Sequence, residues 1–287
     1  MKVDLLKPIG YCLGVVEAIN TSLKVKEKYK DHNIYVIGHL VHNENVIEEL
    51  KKKNIITLEF NKDHIYETLD SFKENDIVIF TAHGHDEKYD QFLMEKGIKF
   101  FDTTCENVKR NMELIKENLS RGVIYIGKKN HPETIAALSI SDDIMFYDIK
   151  DKMDFSNVKC LNPLIVNQTT LSFLEIYQIH QDIKKHIPDS EILDEICSST
   201  RIRQENIKNL KGDFDLILII GSKESSNTEK LFQIAKETHS DIDCYKINNK
   251  SDLVDLDLKK YHHVVITSGT STPYQVIEEV KKYLESI

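Results

Sequence analysis

Three cysteines, Cys12, Cys105 and Cys197, stand about 93 and 92 residues apart in a chain of 287. Each ends a strand-like run (KVDLLKPIGYC, IKFFDTTC, SEILDEIC) and each opens a helical pattern with apolar residues three and four apart. A thiol just ahead of a helix meets unpaired backbone N–H groups and the positive end of the dipole, which favour the metal-binding thiolate. One such cysteine is most simply a small core residue. Three in the same place of three similar segments read better as a ligand set. Three thiolates can hold zinc, a [3Fe–4S] cluster, or a [4Fe–4S] cluster in which one iron lacks a protein thiolate. Structural zinc usually draws four ligands from short paired spacings, and no C-x2-C pair occurs here. Electron-transfer clusters generally take four cysteines. A three-thiolate cubane keeps one iron open for substrate and is the sharper reading, although spacing alone leaves catalytic zinc open. Cys160 and Cys244 fall outside the period and read as structural or surface cysteines.

Other chemistry-bearing residues cluster where strand-like runs end. His42, His83 and His131 each follow such a run and can protonate to meet an anion. SSN at 225–227 opens a helix, with Asn227 able to cap it; a helix start offers N–H donors to a phosphate as well. Ser271, two residues before Pro273, stands at a similar start. Glu133 in NHPETIAAL reads either as an acid in a first helical turn, with Asn130 or His131 as cap, or as a proton donor. Thr169 ends a strand, where its hydroxyl could relay that proton.

These residues sit in one α/β unit written three times. About 22 to 26 residues after each cysteine comes a β-rich run ending in glycine: IYVIG to Gly38, VIYIG to Gly127, LILIIG to Gly221. A polar loop and a helix follow (HLVHNENVIEEL, KKNHPETIAAL, SKESSNTEKLFQIA), then a third strand ending in hydroxyls or histidine (DIVIFTAHG, PLIVNQTT, VVITSGTSTP). Alternating strands and helices imply parallel sheets, whose ligands bind beyond the carboxyl ends of the strands. The expected domains are 13–104, with strand 1–12 joining the core, 105–196 and 197–287. Packed about a pseudo-threefold axis, their strand ends would share one centre.

Composition narrows the partners. A net charge of −9 and a pI near 5.8 argue against a general nucleic-acid binder, and an anionic ligand would need local donors. No apolar run approaches the roughly 18 to 20 residues of a membrane span. MKVDLLKPIGY lacks a signal-peptide pattern, so a cytoplasmic protein without membrane partners is expected. Five scattered cysteines are no disulfide framework.

GYCLGVVEAI, VHN at 41–43, TAHG at 81–84, FDTTC at 101–105, HPE at 131–133, NQTTLS at 167–172, EICSSTRIRQE at 195–205, GSKESSN at 221–227 and TSGTSTP at 267–273 occur in the order of one family. Across essentially its whole length the chain resembles the 4-hydroxy-3-methylbut-2-enyl diphosphate reductases (IspH/LytB). The resemblance implies a trefoil of three similar α/β domains around a central [4Fe–4S] cluster held by Cys12, Cys105 and Cys197, with one open iron. It places the substrate diphosphate among His42, His83, His131, Ser225, Ser226, Asn227 and Ser271. Glu133 and Thr169, with His131, would serve the substrate hydroxyl and its protons. The implied reaction is a two-electron reductive dehydroxylation to isopentenyl and dimethylallyl diphosphate in the methylerythritol phosphate route, with reduced ferredoxin or flavodoxin as donor. Two other readings compete: a non-reductive iron–sulfur dehydratase similar to quinolinate synthase, and a non-enzymatic cluster sensor. Locally the chain departs from the family in SST after Cys197, HDE after TAHG, and GTSTP where GASAP is common; none removes an implied ligand, and they leave the role of His85 open.

Overall fold

The computed structural model describes residues 1–151, 153–193 and 196–287. β1 (Lys2–Leu5) and α1 (Leu13–Lys28) lead into β2 (Asn33–Ile37), α2 (Glu44–Lys52), β3 (Ile55–Leu58), α3 (Ile65–Ser71), β4 (Asp76–Phe80), α4 (Glu87–Glu95) and β5 (Lys99–Asp102). The pattern recurs in α5 (Glu106–Asn118), β6 (Val123–Gly127), α6 (Pro132–Leu138), β7 (Met145–Asp148), β8 (Leu164–Asn167), α7 (Phe173–His186) and β9 (Glu191–Ile192). It recurs again in α8 (Ser198–Lys208), β10 (Leu216–Ile220), α9 (Ser226–Thr238), β11 (Asp243–Ile247), β12 (His263–Ser268) and α10 (Tyr274–Glu285).

The strands form three four-stranded sheets in the orders β3-β2-β4-β5, β7-β6-β8-β9 and β11-β10-β12-β1, every pair parallel. The α/β class with three like units is therefore present. Its central strands, DIVIF in β4, VIYIG in β6, LIVN in β8 and LILII in β10, are buried at every residue. Continuous apolar runs of this kind belong to parallel sheets covered on both faces. The cores gather Phe80, Leu69 and Leu93 on the first sheet, Ile126, Ile165 and Ile183 on the second, and Ile220, Ile266 and Leu284 on the third.

Each sheet has four strands where the sequence pattern predicts three. The additional ones, β3, β7 and β11, lie at sheet edges, and their half-exposed residues show neither a long apolar run nor clean alternation. The strand delivering each cysteine pairs with the last strand of the preceding repeat: β5 with β4, β9 with β8. For Cys12 that neighbour is β12, with Lys2 beside His263 and Leu5 beside Ile266, so the first strand of the chain completes the third sheet. Of the run SEILDEIC, Glu191–Ile192 is strand, while Asp194 and Glu195 lie outside the described residues.

Two compact units are present. One comprises Met1–Val15, His42–Val46 and Cys197–Ile287 and holds the sheet containing β1 and β12; the other comprises Val16–Val41 and Ile47–Ile196 and holds the remaining two sheets. Among the described residues no helix is long and apolar enough to cross a membrane.

Candidate active site

In the first unit, Cys12 and Cys197 each stand immediately before a helix, α1 and α8. The turn ahead of Cys12 is tied down. Gly10 has φ +78°, a left-handed conformation that favours glycine, and donates its N–H to Ser268 Oγ at 2.8 Å. The Cys12 N–H reaches the Thr270 carbonyl at 2.9 Å. Burial pushes the Cys12 thiol up; the Val15 N–H opposes this, the nearby Cys197 adds to it, and Arg203 lowers it. Arg203, 3% exposed, donates Nη2 to the Gly10 carbonyl at 2.7 Å and Nη1 to the Ser199 carbonyl at 3.0 Å. Its Nε has no hydrogen-bond partner, and among the described residues no carboxylate pairs with it. Burial is the main cause holding its pKa down, against the pull of the two thiols. A buried cation beside two thiols fits an anionic metal–thiolate group, whose negative charge would compensate the guanidinium.

The same unit holds His42, Ser225, Ser226, Asn227 and Ser271. Ser225, not Asn227, caps α9: its Oγ accepts the Thr228 N–H at 3.3 Å and the helix begins at Ser226. That cap leaves the Asn227 amide over. It is 2% exposed, and neither Oδ1 nor Nδ2 has a partner, a burial that costs about 1–3 kcal/mol unless something binds there. Ser271 Oγ donates to the His42 carbonyl at 3.1 Å, and Ser222 Oγ to Glu44 Oε1 at 3.1 Å, so residues 42–44 pack on the loops carrying Ser222 and Ser271. Gly221 and Gly269 enclose the Thr228 side chain so closely that a Cβ at either would collide with its Oγ1.

The second unit holds Cys105, His83, His131, Glu133 and Thr169. Cys105 precedes α5, gives its N–H to the Ala82 carbonyl at 3.0 Å, and receives the Asn107 amide at Sγ at 3.9 Å. Gly84, with φ +86°, lets the TAHG loop pass against Met112 and Ala136, where a Cβ would clash with the Met112 methyl. His131 caps α6: its Nδ1 accepts the Glu133 N–H at 3.2 Å, so a neutral ring carries its proton on Nε2. The His83 and His131 rings meet edge to face, centroids 5.8 Å apart.

Glu133 is not a solvent-facing acid of a first turn. It is 2% exposed, and Thr169 grips both its oxygens: the Thr169 N–H donates to Oε1 at 2.8 Å and the Thr169 hydroxyl to Oε2 at 2.9 Å. Burial pushes its carboxyl up to about 7, and the two Thr169 bonds restrain the rise. The buried Tyr125 hydroxyl also helps hold the charge, though no hydrogen bond of ordinary geometry joins the two groups. Beside Thr169, the Gln168 side chain ties the strand end to its neighbours, Oε1 accepting the Lys128 N–H at 3.0 Å and Nε2 donating to Thr170 Oγ1 at 2.8 Å. The arrangement is a carboxyl able to give or take a proton at neutral pH in a site shielded from water.

His85 and Asp86 have partners on β4 and α4. The His85 ring stacks on Phe80, centroids 3.7 Å apart, and bonds Asp90 at 2.8 Å, while Asp86 caps α4 through the Lys88 N–H. Cys244 is buried, its thiol pushed up to about 11 by burial, and Cys160 Sγ packs against Gly122. Sequence reasoning missed Arg203 and Tyr125. Arg203 carried a signal, a cation inside the motif opened by the third cysteine; Tyr125 carried none, being one apolar-run residue among several.

The LytB protein family model matches residues 3–285. The chain is 36% identical, over 99% of its length and 97% of the relative's, to the 4-hydroxy-3-methylbut-2-enyl diphosphate reductase of Malacoplasma penetrans. It is 34% identical to the Brevibacillus brevis enzyme of the same name, over 99% of this chain and 92% of that one. Among solved structures, the Plasmodium falciparum E-1-hydroxy-2-methyl-but-2-enyl-4-diphosphate reductase matches with a TM-score of 0.84 at 28% identity, covering 99% of this chain and 87% of that one. With a family model matching nearly end to end and relatives aligned over almost their full length, this chain belongs to the LytB family.

Proposed function

We propose that the chain is an iron–sulfur reductase that converts 4-hydroxy-3-methylbut-2-enyl diphosphate to isopentenyl and dimethylallyl diphosphate. The observation that carries this reading is the Glu133–Thr169 pair, a buried carboxyl titrating near 7 in a family whose named members are reductases of this alcohol. Removing an allylic hydroxyl as water needs a proton delivered at that oxygen, and Glu133 has one to give at neutral pH. Cys12, Cys105 and Cys197, each at the same position ahead of a helix, would hold a [4Fe–4S] cluster. Bound there, the cluster would supply a Lewis-acidic open iron and two electrons, one at a time, from reduced ferredoxin or flavodoxin. His42, His83, His131, Ser225, Ser226, Asn227 and Ser271 would bind the diphosphate, the buried Asn227 amide gaining the partner it lacks. Glu133, restrained by Thr169, gives its proton to the leaving hydroxyl, and His131 steadies the helix start that presents it. In balance, the C–O bond breaks, two electrons and two protons are consumed, and water leaves.

The test is anaerobic purification with iron and sulfide analysis, then Mössbauer spectroscopy with and without the diphosphate substrate. A distinct fourth iron that shifts on substrate addition supports the reading. Zinc, no metal, or turnover without any reductant overturns it, the last in favour of a non-reductive dehydratase.

A further inference from the structure

The three helices that follow the glycine-ended strands begin with the same device. Asn43 Oδ1 accepts the Asn45 N–H at 3.0 Å ahead of α2, His131 Nδ1 accepts the Glu133 N–H at 3.2 Å ahead of α6, and Ser225 Oγ accepts the Thr228 N–H at 3.3 Å ahead of α9. In each repeat one side chain caps the helix with its acceptor. Two of these three caps are already candidate diphosphate residues; Asn43 is the third.

Asn43 differs from an ordinary cap in what it leaves over. It is 2% exposed, and because Oδ1 is used by the helix the Nδ2 group must point elsewhere, yet Nδ2 has no hydrogen-bond partner. An exposed cap would leave that donor to water. The flanking residues fix its surroundings: the His42 carbonyl accepts from Ser271 and the Glu44 carboxylate from Ser222. Asn43 is thus held against the same loops that carry Ser271 and the start of α9, where Asn227 also buries an amide without partners. Two unsatisfied amides with donors to spare, in an acidic chain, suit an anion that accepts several hydrogen bonds.

We infer that Asn43 is a further substrate-binding residue, donating its Nδ2–H to the diphosphate while Oδ1 caps α2. This rests on the diphosphate reading of Ser225, Asn227 and Ser271 and adds a residue to it. The probe is inorganic pyrophosphate, titrated calorimetrically into the wild-type chain and into Asn43→Ser, Asn43→Asp and Asn227→Ala, with thermal unfolding of each in parallel. Serine and aspartate cap helices about as well as asparagine, so both variants keep the fold while losing the amide donor. Asn43→Ser should weaken pyrophosphate binding about ten-fold, the weight of one hydrogen bond to a charged group, and Asn43→Asp more, through like-charge repulsion. Wild-type affinity in Asn43→Ser would overturn the proposal while leaving the site's reading intact. A wild-type chain that binds no pyrophosphate would overturn both, and normal binding by Asn227→Ala beside a defect in Asn43→Ser would remove Asn227 while keeping Asn43.

Discussion

Thr169 grips Glu133 at both carboxylate oxygens, through its backbone N–H at 2.8 Å and its hydroxyl at 2.9 Å. Both bonds favour the ionised carboxylate, while burial favours the neutral acid, and burial prevails by enough to bring the pKa to about 7. The pair therefore changes protonation state at neutral pH.

On the proposed iron–sulfur reading, Glu133→Gln should hold as much iron as the wild type but turn over about 10²–10⁴-fold more slowly, the usual contribution of a positioned proton donor. Steady-state rates with a chemical reductant, beside an iron assay on the same sample, check this. Near-normal turnover would remove Glu133 from the mechanism.

The same residue has a stability signature. Unfolded, it releases its proton from about its ordinary 4.5; folded, only near 7. Between these values the folded state binds more protons, so stability falls as pH rises through that window and levels off above it, by on the order of a few kcal/mol. Glu133→Gln should lose this part of the slope in denaturant unfolding at pH 5 and pH 8. A slope equal to the wild type's would show that the burial has no such cost.

Thr169→Val keeps the backbone bond and deletes the hydroxyl bond. Removing a donor to the ionised form must raise the Glu133 pKa further, so the limb of the pH–rate profile that marks loss of the protonated acid should move to higher pH. A profile that stays in place, or moves down, would assign the hydroxyl another role.

Arg203→Met removes the two bonds that join the Gly10 turn to the first turn of α8, both next to candidate thiolates. The Gly10 carbonyl left unsatisfied should cost about 1–3 kcal/mol, whereas the Ser199 carbonyl keeps its helical partner within α8. On the proposed cluster reading, iron retained per chain after anaerobic chelation should fall, whereas Arg203→Lys should recover part. Full iron retention in Arg203→Met would mean that the guanidinium supports only the fold.

Gly269→Ala drives a methyl into Thr228 Oγ1, which is fully buried and cannot retreat. Destabilisation of about 1–3 kcal/mol is expected, with weaker pyrophosphate binding as the start of α9 shifts under Asn227. Adding Thr228→Ala should restore both; a double variant no better than the single one would place the strain elsewhere.

The repeat was legible in the sequence because a parallel strand covered on both faces must be apolar throughout, and LILIIG, VIYIG and DIVIF announce themselves. The edge strands MFYD and DCYKI were not, since half-exposed edges need no such run. The position of each thiol ahead of a helix, and the candidate histidines and hydroxyls at strand ends, also followed from local pattern.

What pattern could not decide was which side chains are left without partners after folding. Either Ser225 or Asn227 can cap α9 on paper. Only the packed chain gives that role to Ser225 and buries Asn227 unsatisfied. Likewise an acid in the first turn of α6 is ordinary until Thr169, 36 residues away, closes over it. The sequence by itself determined the elements, because backbone geometry and solvent exposure act over a few neighbours. The tertiary structure decided the protonation of Glu133 and the spare donors of Asn43 and Asn227, because desolvation depends on groups brought together from distant parts of the chain.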